Sequence, residues 1–581
     1  MPTLNWIGKD AVVDHHKQVP FRLLKPIDKL SVGDDSGNLL VQGDNLEALK
    51  ALLPYYAGQV KCIYIDPPYN TGNEGWVYND NVNSPEMREW LGKVVGGEAE
   101  DLSRHDKWLC MMYPRLTLLR LLLSRDGIFM MSIDDNEAAR AKILLDEILG
   151  GNNFIAQLVW EKGRKNDAKL FSVGHEYILI YARDINQLAD VRWRIQKEGV
   201  QEIAAEYHRL REVLDSDYGA ISKELSAFYK RLPKGHPAKK YSRARHADER
   251  GVWRDNQITW HGGGGPKYKI LHPVTGKPCK IPEDGWRFVE STMLKKIQDG
   301  WVVFREDHTK PPFLKQYIYM IEGFDDENND GSSEVMGSVF YRHSQPSNDM
   351  MKAIFGNKIF PNPKDHDVLA RLIGYVTNYD RNAIILDSFA GSGTTAHAVL
   401  SLNAQDNGRR RFVLVEMQAE IARGITAERI KRVSEGFRNI KGLGGGFRYC
   451  ELGATLFDAD GQIREEVKYN DLAQHVYFIE TGQPLPLTPG PSPKSGRGGR
   501  GKNQFPLLDI HNGIAVYLLY NGILKDKKAN GGNVLTRATL QSLPKHEGPK
   551  IIYGNGCLLS EEKLRELGIT FRQIPYEVKS S

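Results

Sequence analysis

Short runs of consecutive apolar residues, each closed by a polar or glycine-rich turn, recur along the chain. Lys61-Cys62-Ile63-Tyr64-Ile65 is one; it stops at Asp66-Pro67-Pro68, because proline has no N–H to give a sheet ladder. Gly127–Ile133 (GIFMMSI), Phe154–Trp160 (FIAQLVW) and Tyr177–Ala182 (YILIYA) have the same character, and Ala383–Leu386 (AIIL) and Phe412–Val415 (FVLV) form a later set. Runs without polar alternation predict strands covered on both faces. Helical spacing separates them over Leu109–Ser124, Glu137–Leu149 and Ile421–Gly436. Strand and helix in alternation predict an α/β layered domain with a mostly parallel sheet.

The pattern changes twice. Between the two sets of strands lies a charged helical stretch, Val191–Lys230, then a basic run and a mixed Gly/Trp/Pro segment. This predicts an inserted region over about 185–349, between chain halves 35–184 and 350–444, with 1–34 as an N-terminal extension. A second change comes at Gly444-Gly445-Gly446, and the remainder, 445–581, regains strand-like runs (IAVYLL, KIIYG) and a helix at Ser560–Leu567. It predicts a small C-terminal α/β module. Residues 483–504 are rich in Pro, Gly, Ser and Arg and carry too few apolar side chains to pack, so they are expected to be a disordered insertion.

Composition adds bounds. The chain has 581 residues, 41% hydrophobic and 26% charged, which excludes wholesale disorder, a collagen-like rod and a coiled coil. Net charge is only +5, so any nucleic-acid partner must be met by local charge. Lys230–Arg245 is such a place: Lys230, Arg231, Lys234, Lys239, Lys240, Arg243 and Arg245 with no acid among them, suited to phosphate contacts or to a solvated loop. The five cysteines form no CxxC pair and no zinc spacing, which fits a reducing, cytoplasmic setting. The N-terminus lacks a basic segment followed by an apolar one, and Leu116–Ile133 is interrupted by Arg120, Arg125 and Asp126. Neither a signal peptide nor a membrane span is expected.

Two turns carry chemistry. Asp387-Ser388-Phe389-Ala390-Gly391-Ser392-Gly393-Thr394 follows a strand and opens a helix, a place where glycines let backbone approach a ligand. No lysine follows Gly393, so a nucleoside triphosphate loop is disfavoured, and only the first GxG of a dinucleotide fingerprint is present. S-adenosylmethionine remains, with Glu416, ending the next strand, as the acid for its ribose; a turn kept for tight packing is the other reading. The second turn is Asp66-Pro67-Pro68-Tyr69. Adenine N6 is a poor nucleophile because its lone pair is delocalised into the ring. Acceptors on its two N–H groups, the Asp66 carboxylate and the Pro67 carbonyl, would favour a more localised pair. Tyr69 would hold the ring, the base having left the duplex stack. An ordinary turn ending a strand is the alternative.

Together these two segments resemble the amino-DNA methyltransferases. The catalytic turn precedes the cofactor turn, as in the permuted β group, which includes the modification subunits of type III restriction–modification systems. Asn38–Leu53, Arg104–Leu116, Gly127–Glu137, Gly174–Ala182 and Phe360-Pro361-Asn362-Pro363-Lys364 add to the resemblance. It implies a Rossmann-like S-adenosylmethionine-dependent methyltransferase fold with circularly permuted motif order and an inserted DNA-recognition domain. It also implies site-specific methylation of adenine N6 in double-stranded DNA without a metal, a homodimer, and a separate restriction subunit with helicase and nuclease activities.

By the same resemblance Asp66, Pro67, Pro68 and Tyr69 serve the target base. Asp387, Phe389, Ala390, Gly391, Ser392, Gly393, Thr394, Glu416 and Lys364 serve the cofactor, and Lys230, Arg231, Lys239, Lys240, Arg243 and Arg245 serve DNA. Ser388 departs from the family's usual proline, which loosens the turn. Cytosine N4 is the alternative target, and a DNA-binding assembly subunit with a vestigial site the alternative role. Three further motifs carry blander expectations. His175-Glu176 fails HExxH because residue 179 is Leu and is expected to be locally structural, Asp134–Glu137 to cap a helix, and His15-His16 to lie on the surface.

Overall fold

The computed structural model describes residues 3–33, 37–71, 89, 92–94, 103–163, 170–321, 333–486, 506–520, 528 and 531–574. The chain divides into two compact units, Met1–Val191 with Ser338–Ser581, and Arg192–Gly337. Most of the basic, proline-rich stretch expected to be disordered, from residue 487 onward, lies outside the described residues.

The larger unit is built on a ten-stranded sheet. Its strands are β1 (Arg22–Pro26), β2 (Leu39–Gln42), β3 (Val60–Ile65), β4 (Leu123–Ile133), β5 (Phe154–Glu161), β6 (His175–Ala182), β7 (Val339–Tyr341), β8 (Ile384–Asp387), β9 (Arg411–Glu416) and β10 (Arg448–Thr455). Their spatial order is β1-β10-β2-β9-β8-β3-β4-β6-β5-β7. The centre, β2-β9-β8-β3-β4, is parallel throughout, whereas β6 runs antiparallel to both β4 and β5. This is a Rossmann-like α/β fold in which β8, the strand before the glycine turn, comes later in sequence than β3 and β4.

All six residues of β3 and all four of β8 are buried, as continuous apolar runs at the middle of a two-sided sheet require. On one face Ile63, Ile65, Phe129, Met131, Val413 and Val415 share a core with helices α1 (Asn45–Tyr56) and α2 (Arg104–Leu122). Side-chain caps start both helices. Asp44 accepts from the Leu46 and Glu47 amides, and Ser103 and Asp106 cap each other's backbone. Two further helices matter to the site: α3 (His366–Thr377), capped by Asp365, and α4 (Thr394–Asp406), which leaves the glycine turn.

The connections from β3 and β8 leave in opposite directions. β3 passes through α2 to β4 on one side, and β8 passes through α4 to β9 on the other. A crevice opens at the carboxyl ends of two parallel strands where the order diverges in this way. Leu386 pairs with Ile63, so Asp387 and Asp66 emerge from the sheet within the same crevice mouth. Residues 507–573 add a four-stranded sheet, antiparallel in its first pair and parallel thereafter, which belongs to the larger unit.

The smaller unit, Arg192–Gly337, starts with two amphipathic helices, Val200–Val213 and Tyr218–Arg231. Their buried faces recur at helical spacing, Val200, Ile203, Tyr207 and Leu210 on the first and Ile221, Leu225 and Tyr229 on the second. They share a core with Val252 and Ile318 of a four-stranded antiparallel sheet. Inside this unit the buried Asp248 carboxylate is satisfied by the Lys315 ammonium at 2.7 Å and the Tyr317 hydroxyl at 2.6 Å. Lys230, Arg231, Lys240, Arg243 and Arg245 are exposed on it, and Lys239 is half-buried. Some of that charge is already engaged: Arg231 lies 3.5 Å from Glu206, and Lys239 donates to the Leu232 carbonyl at 2.6 Å. Among the described residues no helix is long and apolar enough to cross a membrane.

Candidate active site

The crevice is a cleft of about 520 Å³ lined from both halves of the motif order: Asp66, Pro67, Pro68 and Tyr69 on one side, Asp387, Phe389, Ala390, Gly391, Ser392, Thr394 and Thr395 on the other. That volume lies within the usual range for a small-molecule site. Phe360–Lys364 closes one wall, and Lys162, Gly163 and Val173–Glu176 another.

The glycine turn is fixed by its own side chains. Gly391 and Gly393 sit at φ 50° and 76°, where a side chain is strained. A Cβ on Gly393 would also meet Thr426 Cγ2 at 3.2 Å. Asp387 folds back on the turn, accepting from the Phe389 amide at 2.9 Å and the Thr395 hydroxyl at 2.5 Å. Burial pushes its carboxyl up to about 7, because those two hydrogen bonds only partly offset desolvation and the nearby Asp66 and Glu416 charges. Glu416 is buried and braces the turn from behind: it accepts from the Gly391 amide at 2.8 Å and the Gln418 amide at 2.9 Å, and it is not among the residues lining the cleft. Arg429 lies fully buried beneath the turn, donating to the Ser392 carbonyl and hydroxyl and to the Thr394 hydroxyl within 3.2 Å. Burial lowers its pKa to about 9. The Ser388 hydroxyl is buried with no hydrogen-bond partner among the described residues.

The Asp66–Tyr69 turn is held by its neighbours. The Trp108 indole donates to the Pro68 carbonyl at 2.8 Å, pinning the second proline. Asn70 closes the turn at φ 57°, a left-handed conformation that asparagine tolerates, and donates to Glu137 and to the Arg104 carbonyl. His105 also meets Glu137, at 2.5 Å. Glu137 is therefore a buried brace for Asn70, while Asp134 caps the local turn through the Asn136 amide.

Lys364 reaches across to this turn. Its ammonium lies 3.0 Å from Asp66 Oδ1, 2.6 Å from the Tyr69 hydroxyl and 3.1 Å from Glu176 Oε2. The Tyr69 hydroxyl donates to Glu176 at 3.0 Å, and Lys162 pairs with the same Glu176 oxygen at 2.6 Å. Burial raises the Asp66 pKa, opposed by Lys364 and reinforced by Glu176. For Glu176 burial acts upward too, but the Lys162 and Lys364 ammonium groups override it and hold the carboxyl at about 2.

His175-Glu176 begins β6, as a locally structural pair would. Sequence reasoning does not bring Glu176 or Lys162 to the Asp66–Tyr69 turn, and it sets Lys364 with the cofactor group. A buried-run strand carrying one acid at its start was the available signal, and only the fold brings that acid to Tyr69. His15 and His16, expected at the surface, are half-buried in the structure. The ligand atoms of Asp365, His366 and Asp367 could gather on a metal, lying within 4.8 Å of one another, but Arg342 takes both carboxylates, at 2.9 and 2.7 Å.

A family model described as DNA methylase matches residues 60–428, more than half of the chain and both turns of the cleft. The chain belongs to this DNA methylase family. Among curated relatives, the type III restriction-modification enzyme EcoP15I Mod subunit of Escherichia coli is 33% identical over 432 residues, covering 71% of this chain and 64% of that protein. The StyLTI Mod subunit of Salmonella typhimurium is 30% identical over 451 residues, 73% of this chain and 60% of that one. The type II methyltransferase M.KpnI of Klebsiella pneumoniae is 27% identical over 431 residues, covering 71% and 91%. The chain thus spans between 60% and 64% of the length of those two Mod subunits. The two turns that the family model spans follow adjacent strands, β3 and β8.

Proposed function

We propose that the protein transfers a methyl group from S-adenosylmethionine to adenine N6 in double-stranded DNA, as the modification subunit of a type III restriction–modification system. The carrying observation is that Asp66 and the 387–395 turn line one cleft. The Mod names of two relatives support the system, and they support a separate restriction subunit as partner. DNA contacts are assigned to the exposed basic run of the smaller unit, from its local charge and its place between the two halves of the motif order, and a homodimer is expected from the family resemblance.

The residues fit the cofactor. Asp387 and Asp66 put two carboxyl groups on the cleft, and Asp387 is destabilised as an anion by burial. A cationic ligand relieves that penalty. Asp387, Phe389 and Gly391–Thr394 would hold its amino-acid part, with Glu416 keeping the turn in shape. When bound, the group supplies an electrophilic sulfonium methyl, so that the N6–carbon bond forms as the carbon–sulfur bond breaks and sulfur keeps the electron pair.

Asp66 accepts one N–H of the extruded amine, the Pro67 carbonyl accepts the other, and Tyr69 flanks the ring. These acceptors turn the nitrogen lone pair toward the methyl carbon. They also stabilise the positive charge that N6 gains as the bond forms. The proton then lost from N6 passes to the Asp66 carboxylate or to water. Extrusion of the base costs a few kcal/mol, supplied by contacts in the cleft.

The test is incubation with labelled S-adenosylmethionine and unmethylated duplex DNA, followed by digestion to nucleosides. Label in N6-methyladenine is expected; label only in N4-methylcytosine, or none, overturns the assignment.

A further inference from the structure

The mechanism above leaves four polar groups of the cleft unused: the buried Glu176 and Lys364, and the half-buried Lys162 and Tyr69 hydroxyl. The Lys364 ammonium donates to the Tyr69 hydroxyl at 2.6 Å and to Glu176 Oε2 at 3.1 Å, and it forms an ion pair with Asp66 Oδ1 at 3.0 Å, an oxygen that takes no hydrogen bond among the described residues. None of these partners belongs to the glycine turn. Lys364 touches that turn only through its backbone carbonyl, which accepts from the Thr394 hydroxyl at 3.4 Å. Its side chain is bent toward the reacting end of the cleft, and its ammonium stands over the Tyr69 ring at 4.7 Å. Two carboxylates and two ammonium groups here balance in charge, which a buried cluster needs to persist.

The lysine is ion-paired at 3.0 Å with an Asp66 oxygen that takes no hydrogen bond among the described residues, the acceptor that a substrate N–H could use. Burial would otherwise favour a protonated Asp66, and a protonated carboxyl is a poorer acceptor for an amine N–H. Resting on the methyltransferase reading, we propose that Lys364 and Glu176 are positioning residues for Asp66. Lys364 favours the ionised carboxylate until the target amine arrives, and Glu176 takes up the ammonium as that amine binds Asp66. Lys162 anchors Glu176 at 2.6 Å, so the acceptor for the displaced ammonium stays in place.

The charged and titratable groups facing Asp66 are Lys364, Lys162, Glu176, Tyr64, Tyr69 and Asp387. Removing the Lys364 charge leaves Asp66 beside two carboxyl groups, with Lys162 paired to Glu176. Its protonation then reaches to higher pH, and the acid limb of the rate profile moves up. Removing the Glu176 charge takes away a repelling neighbour and leaves Asp66 as the carboxylate paired with Lys364. The acid limb then moves down, while the rate at neutral pH falls because the amine must displace a lysine with no second carboxylate to receive it. A purely structural role would not move the limbs in opposite directions.

The experiment measures initial rates of methyl transfer to unmethylated genomic DNA from pH 5 to 9 for wild type, Lys364→Gln, Lys364→Arg and Glu176→Gln. S-adenosylmethionine affinity by calorimetry serves as the folding and binding control. Expected are an upward limb shift in Lys364→Gln, leaving its rate at pH 6 ~10-fold or more below that at pH 8, and a downward shift in Glu176→Gln. A near-wild-type profile is expected for Lys364→Arg, and cofactor affinity within about threefold in all. Limbs that stay put or move together overturn the proposal, as does a Lys364→Gln protein whose cofactor affinity falls in step with its rate. Wild-type protein that methylates no DNA overturns the methyltransferase reading itself, an outcome distinct from an active wild type whose variants share one profile.

Discussion

Cofactor binding should be coupled to a proton on Asp387. Its carboxyl is 3% exposed and held by two hydrogen bonds, from the Phe389 amide and the Thr395 hydroxyl. Burial, with the nearby Asp66 and Glu416 charges, still raises it to about 7. A sulfonium ligand favours the ionised carboxylate, so binding below that pKa must release the proton. At pH 5.5 roughly 3% of the free protein carries the ionised form, and at pH 7 about half does; the ratio predicts a Kd about 15-fold weaker at pH 5.5, worth roughly 1.6 kcal/mol. The window stays at or below pH 7 because the ligand's own α-amino group loses its charge near pH 8. Calorimetry of S-adenosylmethionine binding at pH 5.5 in two buffers of different ionisation enthalpy reads the proton directly, with close to one released. Asp387→Asn removes that release, and it weakens binding at pH 7 because an amide oxygen cannot replace both carboxylate acceptors. A Kd constant from pH 5.5 to 7 with no proton released refutes the coupling.

Three further outcomes follow from the packing around the two turns and from the surface charge. Trp108→Phe keeps the buried ring but removes the donor to the Pro68 carbonyl; thermal unfolding should report a loss of about 1–2 kcal/mol, and kcat should fall several-fold with the cofactor Kd unchanged. Asn70→Ala places alanine at φ 57° and strips a donor from the buried Glu137; denaturant unfolding should show about 2–3 kcal/mol lost, and an unchanged midpoint would contradict the bracing role. Replacing Lys240, Arg243 and Arg245 with Gln should weaken duplex binding and lower the slope of log K against log salt by about 0.9 for each phosphate that the protein no longer neutralises, read by fluorescence anisotropy across a salt series; an unchanged slope removes this run from the DNA-binding surface.

Much of the fold was legible because its central strands are buried on both faces. β3, β4, β8 and β9 read directly as apolar runs, and the two turns that follow β3 and β8 carry local, strongly typed residues. Pairing was less legible. Nothing in Tyr177–Ala182 announces that β6 runs antiparallel between β4 and β5, because a buried strand has the same pattern in either direction. The site divided along the same line. Asp66 and Gly391 are recognisable from their neighbours in sequence. Glu176, Lys162 and Lys364 acquire a shared role only when three distant segments converge, since a single acid or lysine at a strand end carries no periodic signal. Glu416 was legible as the acid that ends β9, and only the structure adds that its oxygens accept from the Gly391 and Gln418 amides.

The central claim is that Asp66 does chemistry on a target amine in a cleft whose other wall holds the methyl donor. Asp66→Ala tests it most directly, with methyl transfer to DNA and S-adenosylmethionine affinity measured on the same preparation. The account predicts transfer reduced by about 10³-fold or more, with cofactor Kd within a few-fold of wild type. Transfer near the wild-type rate, or cofactor binding lost together with it, would contradict that division of the cleft.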